Sequence, residues 1–327
     1  MLLLAVVVLL GAWLVEVLSV LRGWRRPRVL VDAQTFHLWL RAGALVIAAI
    51  TAIVLGRRGG VILALTVVIV SLDSLHWHSE TRSWAAAEPE GDPDSPAVTI
   101  AMAKVLFTNR RTVAAARRCL DPGAGLHGAD VLTAVELTSS FVGELQAQGI
   151  SGRYEHVIID TGDDLGDGVG LWSRYPLHGV GLRSIGGMRA VDVVVHVDAL
   201  TAVRVVVVHP LPPLDRERWR RWERAHRELA DLAAEQPEMP VIITGDFNAA
   251  RWHRVWRDLL GSAGLRPAHA VARRRKPSWG PVAGRFAVVR IDHALVGGPL
   301  TVDWVGDFTV PGSDHRGLTV GVRRARG

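Results

Sequence analysis

A short apolar segment near the C-terminus runs directly into a carboxylate and an amide. Residues 241–244 are all β-branched, which is typical of a buried strand, and the next four residues include Asp246 and Asn248. Asp and Asn can also open an ordinary turn, because their side chains hydrogen-bond the local backbone. Further along, Asp314 and His315 are adjacent and form either a surface pair or a group that orients protons. Neither pair alone identifies a site.

The same pattern recurs earlier in the chain, where polar residues end other apolar segments. Residues 103–107 lead to Asn109, residues 130–135 lead to Glu136, and His209 follows the valine-rich segment 203–208. Asp292 adds another carboxylate before Asp314 and His315. A hard divalent cation such as Mg²⁺ binds a few carboxylate oxygens and keeps some waters, while an Asp-His pair supplies oriented protons around a phosphate. The series therefore indicates a metal-dependent phosphoesterase.

In this order, the motifs resemble those of the endonuclease/exonuclease/phosphatase superfamily, which includes DNase I-like nucleases, neutral sphingomyelinases and inositol polyphosphate phosphatases. The resemblance covers about residues 97–324. It implies an α/β fold in which a two-layer β-sandwich is flanked by helices. The alternation of strand-like and helical segments after residue 97 favours the same architecture.

The resemblance also implies a divalent metal, with Mg²⁺ favoured and Mn²⁺ or Ca²⁺ compatible with the same oxygen-rich set. Glu136 corresponds to the main metal ligand, with Asn109 beside it and Asp314 completing the acidic site. These three assignments are predictions from the family pattern.

The predicted catalytic residues are His209, Asp246, Asn248, Asp292 and His315. Asp246 is expected to position or deprotonate the attacking water, and Asn248 to hold the scissile phosphate. His315 is expected to stabilise charge in the transition state, with Asp292 holding its tautomer. His209 matches a histidine near the leaving group. In-line attack on phosphorus then needs no covalent enzyme intermediate.

The N-terminal part of the chain differs in character, because three long segments are almost entirely apolar. They are residues 1–21, 36–55 and 60–75, each near the roughly 17–25 residues that cross a bilayer as a helix. A buried helical lobe of a soluble protein is the alternative. The first segment has no basic residues before it and arginines after it, which favours a retained anchor over a cleaved signal peptide. We expect three transmembrane helices in residues 1–79.

An acidic, proline-rich linker is predicted over residues 80–96, before a catalytic domain over residues 97–327. Proline and carboxylates in this segment disfavour both a helix and a packed core. The linker is therefore expected to let the catalytic domain tilt over the bilayer.

Two signals disagree about membrane orientation. The loop 22–28 holds Arg22, Arg25, Arg26 and Arg28, which outnumber Arg57 and Arg58 in the next loop, so the positive-inside tendency places the catalytic domain in the cytoplasm. Three spans followed by this domain, however, resemble the actinobacterial VanJ-type proteins of glycopeptide-resistance clusters. That resemblance implies a multi-pass cell-membrane protein with an extracytoplasmic domain that acts on a polyprenyl pyrophosphate or related lipid-linked precursor. We expect the extracytoplasmic orientation.

Three other functions stay open. An anchored Mg²⁺-dependent nuclease would use the net charge of +6 and the basic block 273–276, but no ladder of stacking aromatics accompanies that block, so nucleic acid is the less expected partner. A sphingomyelinase-like or phospholipase C-like phosphodiesterase would use the same site. A domain that only binds, without catalysis, is the third. No feature indicates an obligate protein partner.

Overall fold

The computed structural model describes residues 2–21, 33–86, 88–121, 128–162, 166–198, 202–274, 276–280 and 286–326. The chain divides into two compact units. One comprises Met1–Ser83 with Ala250–Arg257, and the other comprises Trp84–Ala249 with Asp258–Gly327. The predicted division after residue 79 lies near the first of these boundaries, whereas the joining of residues 250–257 to the N-terminal unit was not predicted.

Three long helices lie in the described part of the N-terminal unit. They are α1 (Leu2–Leu21), α2 (His37–Leu55) and α3 (Arg57–Ala86). By length and composition, α2 and the part Arg57–His76 of α3 are apolar enough to cross a membrane. In α1 the apolar stretch that is found is the shorter Val8–Ser19. The structure thus supports two of the three predicted spans, and the arginine-rich loop 22–28 lies outside the described residues.

A polar cluster connects these helices. His37 on α2 contacts Glu16 on α1 through Nδ1, at 2.8 Å from Oε1, and Asp73 on α3 through Nε2, at 2.9 Å from Oδ2. Arg41 adds an ion pair of 3.1 Å to the same Asp73 oxygen. Because an unpaired charge among apolar helices is expensive, this mutual pairing ties α1, α2 and α3 to one another.

The second unit is built on two sheets. Among the described residues the strands of the first are β1 (Val98–Lys104), β2 (Val131–Val135), β3 (His156–Asp160), β4 (Val169–Ser173), β11 (Leu300–Thr309) and β12 (Arg316–Arg324). Those of the second are β5 (Leu177–Ile185), β6 (Met188–His196), β7 (Ala202–Val208), β8 (Val241–Asp246), β9 (Arg266–Pro267) and β10 (Asp292–Gly297). The orders are β11-β12-β1-β2-β4-β3 and β5-β6-β7-β8-β10-β9, so the predicted two-sheet α/β fold is confirmed.

Helices accompany the sheets. They are α4 (Thr112–Leu120), α5 (Ser139–Ala147), α6 (Arg216–Ala234), α7 (Arg254–Ala263) and the short α8 (Ala268–Val271). Helix α6 begins where the Asp215 carboxylate accepts hydrogen bonds from the backbone N–H groups of Glu217 and Arg218, a standard N-cap. Its buried side chains, among them Trp222 and Leu229, lie on one face, as its amphipathic sequence requires.

Strand direction places the functional residues at one end of the sandwich. In the first sheet β1 and β2 are parallel, and in the second β7 and β8 are parallel, so within each pair the carboxyl ends point the same way. β10 runs antiparallel to β8 and pairs Asp292 with Asp246, while β12 runs antiparallel to β1. The beginnings of β10 and β12 therefore lie at the same edges as the ends of β8 and β1.

The main core lies between the sheets. It is formed by inward-facing aliphatic residues of both layers, such as Ile100 and Val131 from one sheet and Val193, Val205 and Ile242 from the other. Full burial of each such side chain contributes about 1.5–3 kcal/mol. A second cluster, including Phe141 and Trp172, packs α4 and α5 on the outer face of the first sheet. This packing makes the strand ends a rigid platform.

The residues after α3, inside the predicted linker 80–96, contact the second unit. Helix α3 continues to Ala86, and the Glu88 carboxylate then accepts hydrogen bonds from Thr301 Oγ1 at 3.0 Å and from the backbone of Val302. Glu88 also forms a 3.0 Å ion pair with Arg266, and Gly91 bridges to Ala325 beside the last strand. The segment after α3 therefore has partners within the second unit, while its predicted role as a linker stays a prediction.

Candidate active site

Six polar side chains come from the ends of six different strands. Lys104 is the last residue of β1, Glu136 follows β2, His209 follows β7, Asp246 ends β8, Asp292 begins β10, and His315 immediately precedes β12. All six are buried. Five of them belong to the predicted set, and the tertiary fold adds Lys104.

Asp292 and His315 form a tight pair. Nδ1 of His315 lies 2.7 Å from Oδ2 of Asp292, and the Oγ of Ser278 accepts the backbone N–H groups of Ile291 and Asp292 at 3.1 Å each. Burial by itself lowers the pKa of His315, but the Asp292 carboxylate outweighs burial and the net pKa is raised. The imidazole is thereby oriented, and its Nε2 faces Asp246 Oδ2 at 3.8 Å.

Asp246 is fully buried and has a partner on each oxygen. Oδ1 accepts the backbone N–H of Asn248 at 2.8 Å, and Oδ2 accepts from Lys104 Nζ at 2.8 Å. Burial would raise the pKa of Asp246, but the positive charges of Lys104 and then His315 lower it well below its usual value. The carboxylate is therefore ionised and weakly basic.

Glu136 is held in an unusual backbone conformation. Its φ of 57° lies in the left-handed region, which is uncommon for residues other than glycine and costs about 1–3 kcal/mol where it is strained. The carboxylate accepts the Phe107 backbone N–H at 3.2 Å through Oε2, and Oε1 lies 3.1 Å from Lys104 Nζ. Such conformations concentrate at functional sites, where the surrounding structure aims one side chain.

Lys104 connects the two acidic residues. Its Nζ lies 2.8 Å from Asp246 and 3.1 Å from Glu136, with the side chain only 10% exposed. Burial would lower the pKa of Lys104, yet the two carboxylates raise it, so the group is an ammonium. Sequence reasoning missed this residue. The signal was present, since Lys104 is the single charged residue in the segment 98–107, and an isolated charge in a buried strand needs a partner.

Asn109, predicted to ligate a metal beside Glu136, makes its side-chain hydrogen bonds with backbone groups of nearby loops, and its ligand role stays a prediction. Its Nδ2 donates to the carbonyl oxygens of Val105 and Pro311, each at 2.9 Å, and its Oδ1 accepts the Arg111 backbone N–H at 2.8 Å. The amide thus braces the loop after β1. The position beside Glu136 belongs to Lys104, because the strand ends five residues earlier in the sequence than the prediction assumed.

Asn248 and His209 line the same pocket. Asn248 has φ 49°, and its Nδ2 donates to the Pro210 carbonyl at 2.9 Å, which joins the end of β8 to the residue after His209. His209 Nε2 lies 3.6 Å from Asp246 Oδ2 and 3.8 Å from Glu136 Oε1. Burial, followed by the Lys104 charge, lowers the pKa of His209, so its imidazole is neutral at pH 7.

The donor atoms around Asp292 and Asp314, on the opposite side of the site from Glu136, fit a divalent cation. Among the described residues, Asp246, Asp292 and His315 each offer a ligand atom within 4.8 Å of the others. Asp292 Oδ1 and Asp314 Oδ1 are buried oxygens without a hydrogen-bond partner in the part of the chain that the structure describes. Asp314 Oδ2 accepts from Trp279 Nε1 at 3.0 Å, which aims the carboxylate. Two buried carboxylate oxygens that lack a hydrogen-bond partner are suitable ligands for a hard cation.

The sequence of the catalytic unit matches a known family model. Residues 105–315 match the model of the Endonuclease/Exonuclease/phosphatase family. The chain belongs to this family. It is a hydrolase of the phosphodiesterase and phosphatase type, and Asp246, Asp292 and His315 all lie within the matched residues.

Solved structures share the fold at low sequence identity. D. rerio TDP2 complexed with a single-strand DNA product is 18% identical, with a TM-score of 0.55 over 69% of this chain and 98% of that one. An endonuclease/exonuclease/phosphatase family protein from Bacteroides thetaiotaomicron is 15% identical, with a TM-score of 0.54 over 71% and 100%. A beta toxin variant from Staphylococcus aureus with bound magnesium ions is 13% identical, with a TM-score of 0.50 over 71% and 100%. A comparison with curated proteins finds no match.

Proposed function

We propose that this protein is a membrane-anchored phosphoesterase that hydrolyses a lipid-linked (polyprenyl) pyrophosphate or a phospholipid at the membrane surface. The observation that carries the proposal is a hydrolytic constellation, with Asp246, Asn248 and the Asp292–His315 pair at one end of a sandwich. The same chain has two helices apolar enough to cross a membrane. A tether raises the effective concentration of substrates only when they lie at the same surface.

The chemistry in this proposal is in-line attack of water on phosphorus. Asp246 has a depressed pKa and is a weak base, so its role is to accept a hydrogen bond from the water and set the direction of attack. His315, whose pKa is raised by Asp292, presents a positively charged N–H to a phosphoryl oxygen as charge develops there. Asn248 holds the phosphate, and the neutral His209 lies on the side assigned to the leaving group.

A divalent cation fits the acidic side of this site. Asp292 and Asp314, each with a buried oxygen that lacks a hydrogen-bond partner among the described residues, would hold it. Such a cation acts as a Lewis acid on a phosphoryl oxygen when bound. Mg²⁺ is the first choice, because it binds proteins through one or two carboxylates and keeps several waters, and the solved beta toxin contains magnesium ions.

The proposed location is a multi-pass cell-membrane protein with an extracytoplasmic catalytic domain. Helices α2 and α3 support the membrane association. The proposal adds a third span in α1, whose apolar stretch Val8–Ser19 is shorter than the other two. A polyprenyl pyrophosphate exposed on the outer leaflet would then be the substrate within reach.

The proposal is tested with the purified full-length protein in detergent and Mg²⁺. Phosphate release from undecaprenyl pyrophosphate is measured beside sphingomyelin hydrolysis and plasmid nicking. Asp246→Asn keeps the shape of the side chain but removes its charge, and the matched control is Asp303→Asn, an exposed residue paired with Arg323 on the sheet edge. Unchanged circular dichroism in both variants establishes that they fold.

We expect phosphate release by the wild type and by Asp303→Asn, and its loss in Asp246→Asn. Sphingomyelin hydrolysis with the same mutational pattern would keep the lipid substrate class but move it to a diester. Plasmid nicking without activity on either lipid would overturn the proposal in favour of an anchored nuclease.

A further inference from the structure

A buried ammonium lies where a metal ligated by Glu136 would be. Lys104 Nζ is 3.1 Å from Glu136 Oε1 and 2.8 Å from Asp246 Oδ2, so the ammonium bridges a carboxylate after β2 and another at the end of β8. The Lys104 and Glu136 side chains are 10% and 9% exposed, and that of Asp246 is 0% exposed. A charge buried this far from water needs opposite charges in contact, and these two carboxylates supply them.

We propose that the Lys104 ammonium takes the place of a metal ion between Glu136 and Asp246. Glu136 then ligates no divalent metal, and the site binds a single divalent cation on its Asp292–Asp314 side. This inference concerns the site described under the proposed function but does not depend on which substrate is hydrolysed. It assigns Lys104 a positioning role, because its ammonium keeps Asp246 ionised and aims it.

Charge balance supports this assignment. Glu136 and Asp246 bring two negative charges, and the Lys104 ammonium in contact with both offsets one of them. A divalent cation placed on the same pair would sit within contact distance of a buried ammonium, and like charges repel strongly where water is excluded. On the other side, Asp292 Oδ1 and Asp314 Oδ1 have no hydrogen-bond donor among the described residues. Carboxylate oxygens that lack a hydrogen-bond partner are therefore found on that side.

The backbone holds Lys104 in place. Lys104 pairs with Val135, the residue before Glu136, in the parallel β1–β2 ladder, and its carbonyl oxygen accepts from Ser313 Oγ at 2.7 Å. The same Ser313 Oγ accepts the backbone N–H of His315 at 3.1 Å. Lys104 is thus linked through backbone contacts to the segments that carry Glu136 and His315.

Mn²⁺ binding distinguishes this assignment from a lysine that swings away when a metal arrives. The full-length protein in detergent is titrated with Mn²⁺, and the free ion is followed by electron paramagnetic resonance at pH 7. Five proteins are compared: wild type, Glu136→Gln, Asp314→Asn, Lys104→Asn, and the double variant Lys104→Asn with Glu136→Gln. Thermal unfolding of each establishes that it is folded.

We expect Glu136→Gln to leave the wild-type Mn²⁺ affinity unchanged and Asp314→Asn to weaken it about tenfold or more, as loss of a ligand does. Lys104→Asn should create an additional Mn²⁺ site, because it exposes the Glu136–Asp246 pair and supplies an amide oxygen. That additional site should vanish in the double variant.

A fall in affinity for Glu136→Gln in the wild-type background would overturn the proposal, since Glu136 would then bind metal in the presence of Lys104. This comparison needs no Lys104 variant, so it decides the matter even if Lys104→Asn fails to fold. The titration needs no substrate and no turnover. If the expected binding pattern holds while phosphate release is absent, the proposed function fails and the role of Lys104 stands. If phosphate is released but Glu136→Gln weakens Mn²⁺ binding, the proposed function stands and the role of Lys104 fails.

Discussion

His315 Nδ1 lies 2.7 Å from Asp292 Oδ2 between two side chains that are 1% and 0% exposed. The two residues come from different strands, since Asp292 begins β10 in one sheet and His315 precedes β12 in the other. A hydrogen bond across the sandwich, away from water, holds the imidazole in one orientation and stabilises its positive form. The geometry therefore couples the two sheets at the point where the chemistry is proposed.

Asp292→Asn should lower kcat by about 10²–10⁴-fold with a smaller effect on KM, because the carboxamide cannot stabilise a positive His315 in the transition state. Steady-state kinetics on the substrate found in the first assay measure both constants. Asp303→Asn on the exposed edge serves as the control. An unchanged kcat in Asp292→Asn would mean that His315 does not act through its charged form.

The buried His293 should make the protein less stable as the pH falls below neutrality. Burial, followed by the Arg290 charge, lowers the pKa of His293 to about 3. The folded state thus keeps this histidine neutral, while the unfolded chain protonates it near its ordinary pKa of 6.5. The stabilising contribution is fully present above pH 6.5, and it is lost progressively as the pH falls from 6.5 towards 3.

The variant His293→Gln tests this prediction, since its amide can still donate to the Ala249 carbonyl that His293 Nε2 contacts at 3.0 Å. Melting temperatures are measured with EDTA present at pH 7.5, 6.0 and 5.0. We expect the wild type to lose more thermal stability than His293→Gln over this range. Equal losses would show that His293 is not the group responsible.

Glu88→Ala should destabilise the catalytic unit by about 1–3 kcal/mol, because it leaves buried donors without their acceptor. The affected groups are the Val302 backbone N–H, the Thr301 hydroxyl and the Arg266 guanidinium. Glu90 is the matched control, since its carboxylate forms only a 3.8 Å pair with Arg326 between largely exposed side chains. Thermal unfolding should separate the two variants, and a melting temperature for Glu88→Ala equal to that of Glu90→Ala would show that the Glu88 contacts do not stabilise the catalytic unit.

The extracytoplasmic orientation predicts that a cysteine on the catalytic unit reacts with a membrane-impermeant maleimide in intact cells. Gln236→Cys places a thiol on an exposed turn after α6. The native Cys119 gives little background, because it is fully buried and burial raises its pKa to about 12. Labelling that occurs only after permeabilisation would place the catalytic unit in the cytoplasm, in line with the arginine distribution.

Much of the candidate site could be predicted from local sequence. Glu136, Asp246 and Asp292 each lie at the end of an apolar strand, and a buried carboxylate at such a position needs a functional or structural partner. Asn109 shows what this reasoning does not reach. It also follows an apolar segment, but β1 ends at Lys104, and the side chain of Asn109 turns back to bind the loop. Only strand pairing sets where a strand ends.

The linker shows the same limit in another form. Prolines and carboxylates predicted a linker over residues 80–96, but α3 continues to Ala86, and composition could not reveal that Glu88 has a partner in Arg266. These residues are far apart in the chain, and their contact exists only once the strands around Thr301 are assembled.

The sequence by itself determined the family, the two-sheet fold and most polar residues of the site, because β-periodicity and polar strand ends are local properties of the chain. Tertiary structure alone decided that Lys104 bridges Glu136 and Asp246. The reason is physical: an ammonium on a long flexible stem has no preferred partner in sequence, and its position is settled by which carboxylates the folded sheets bury within its reach.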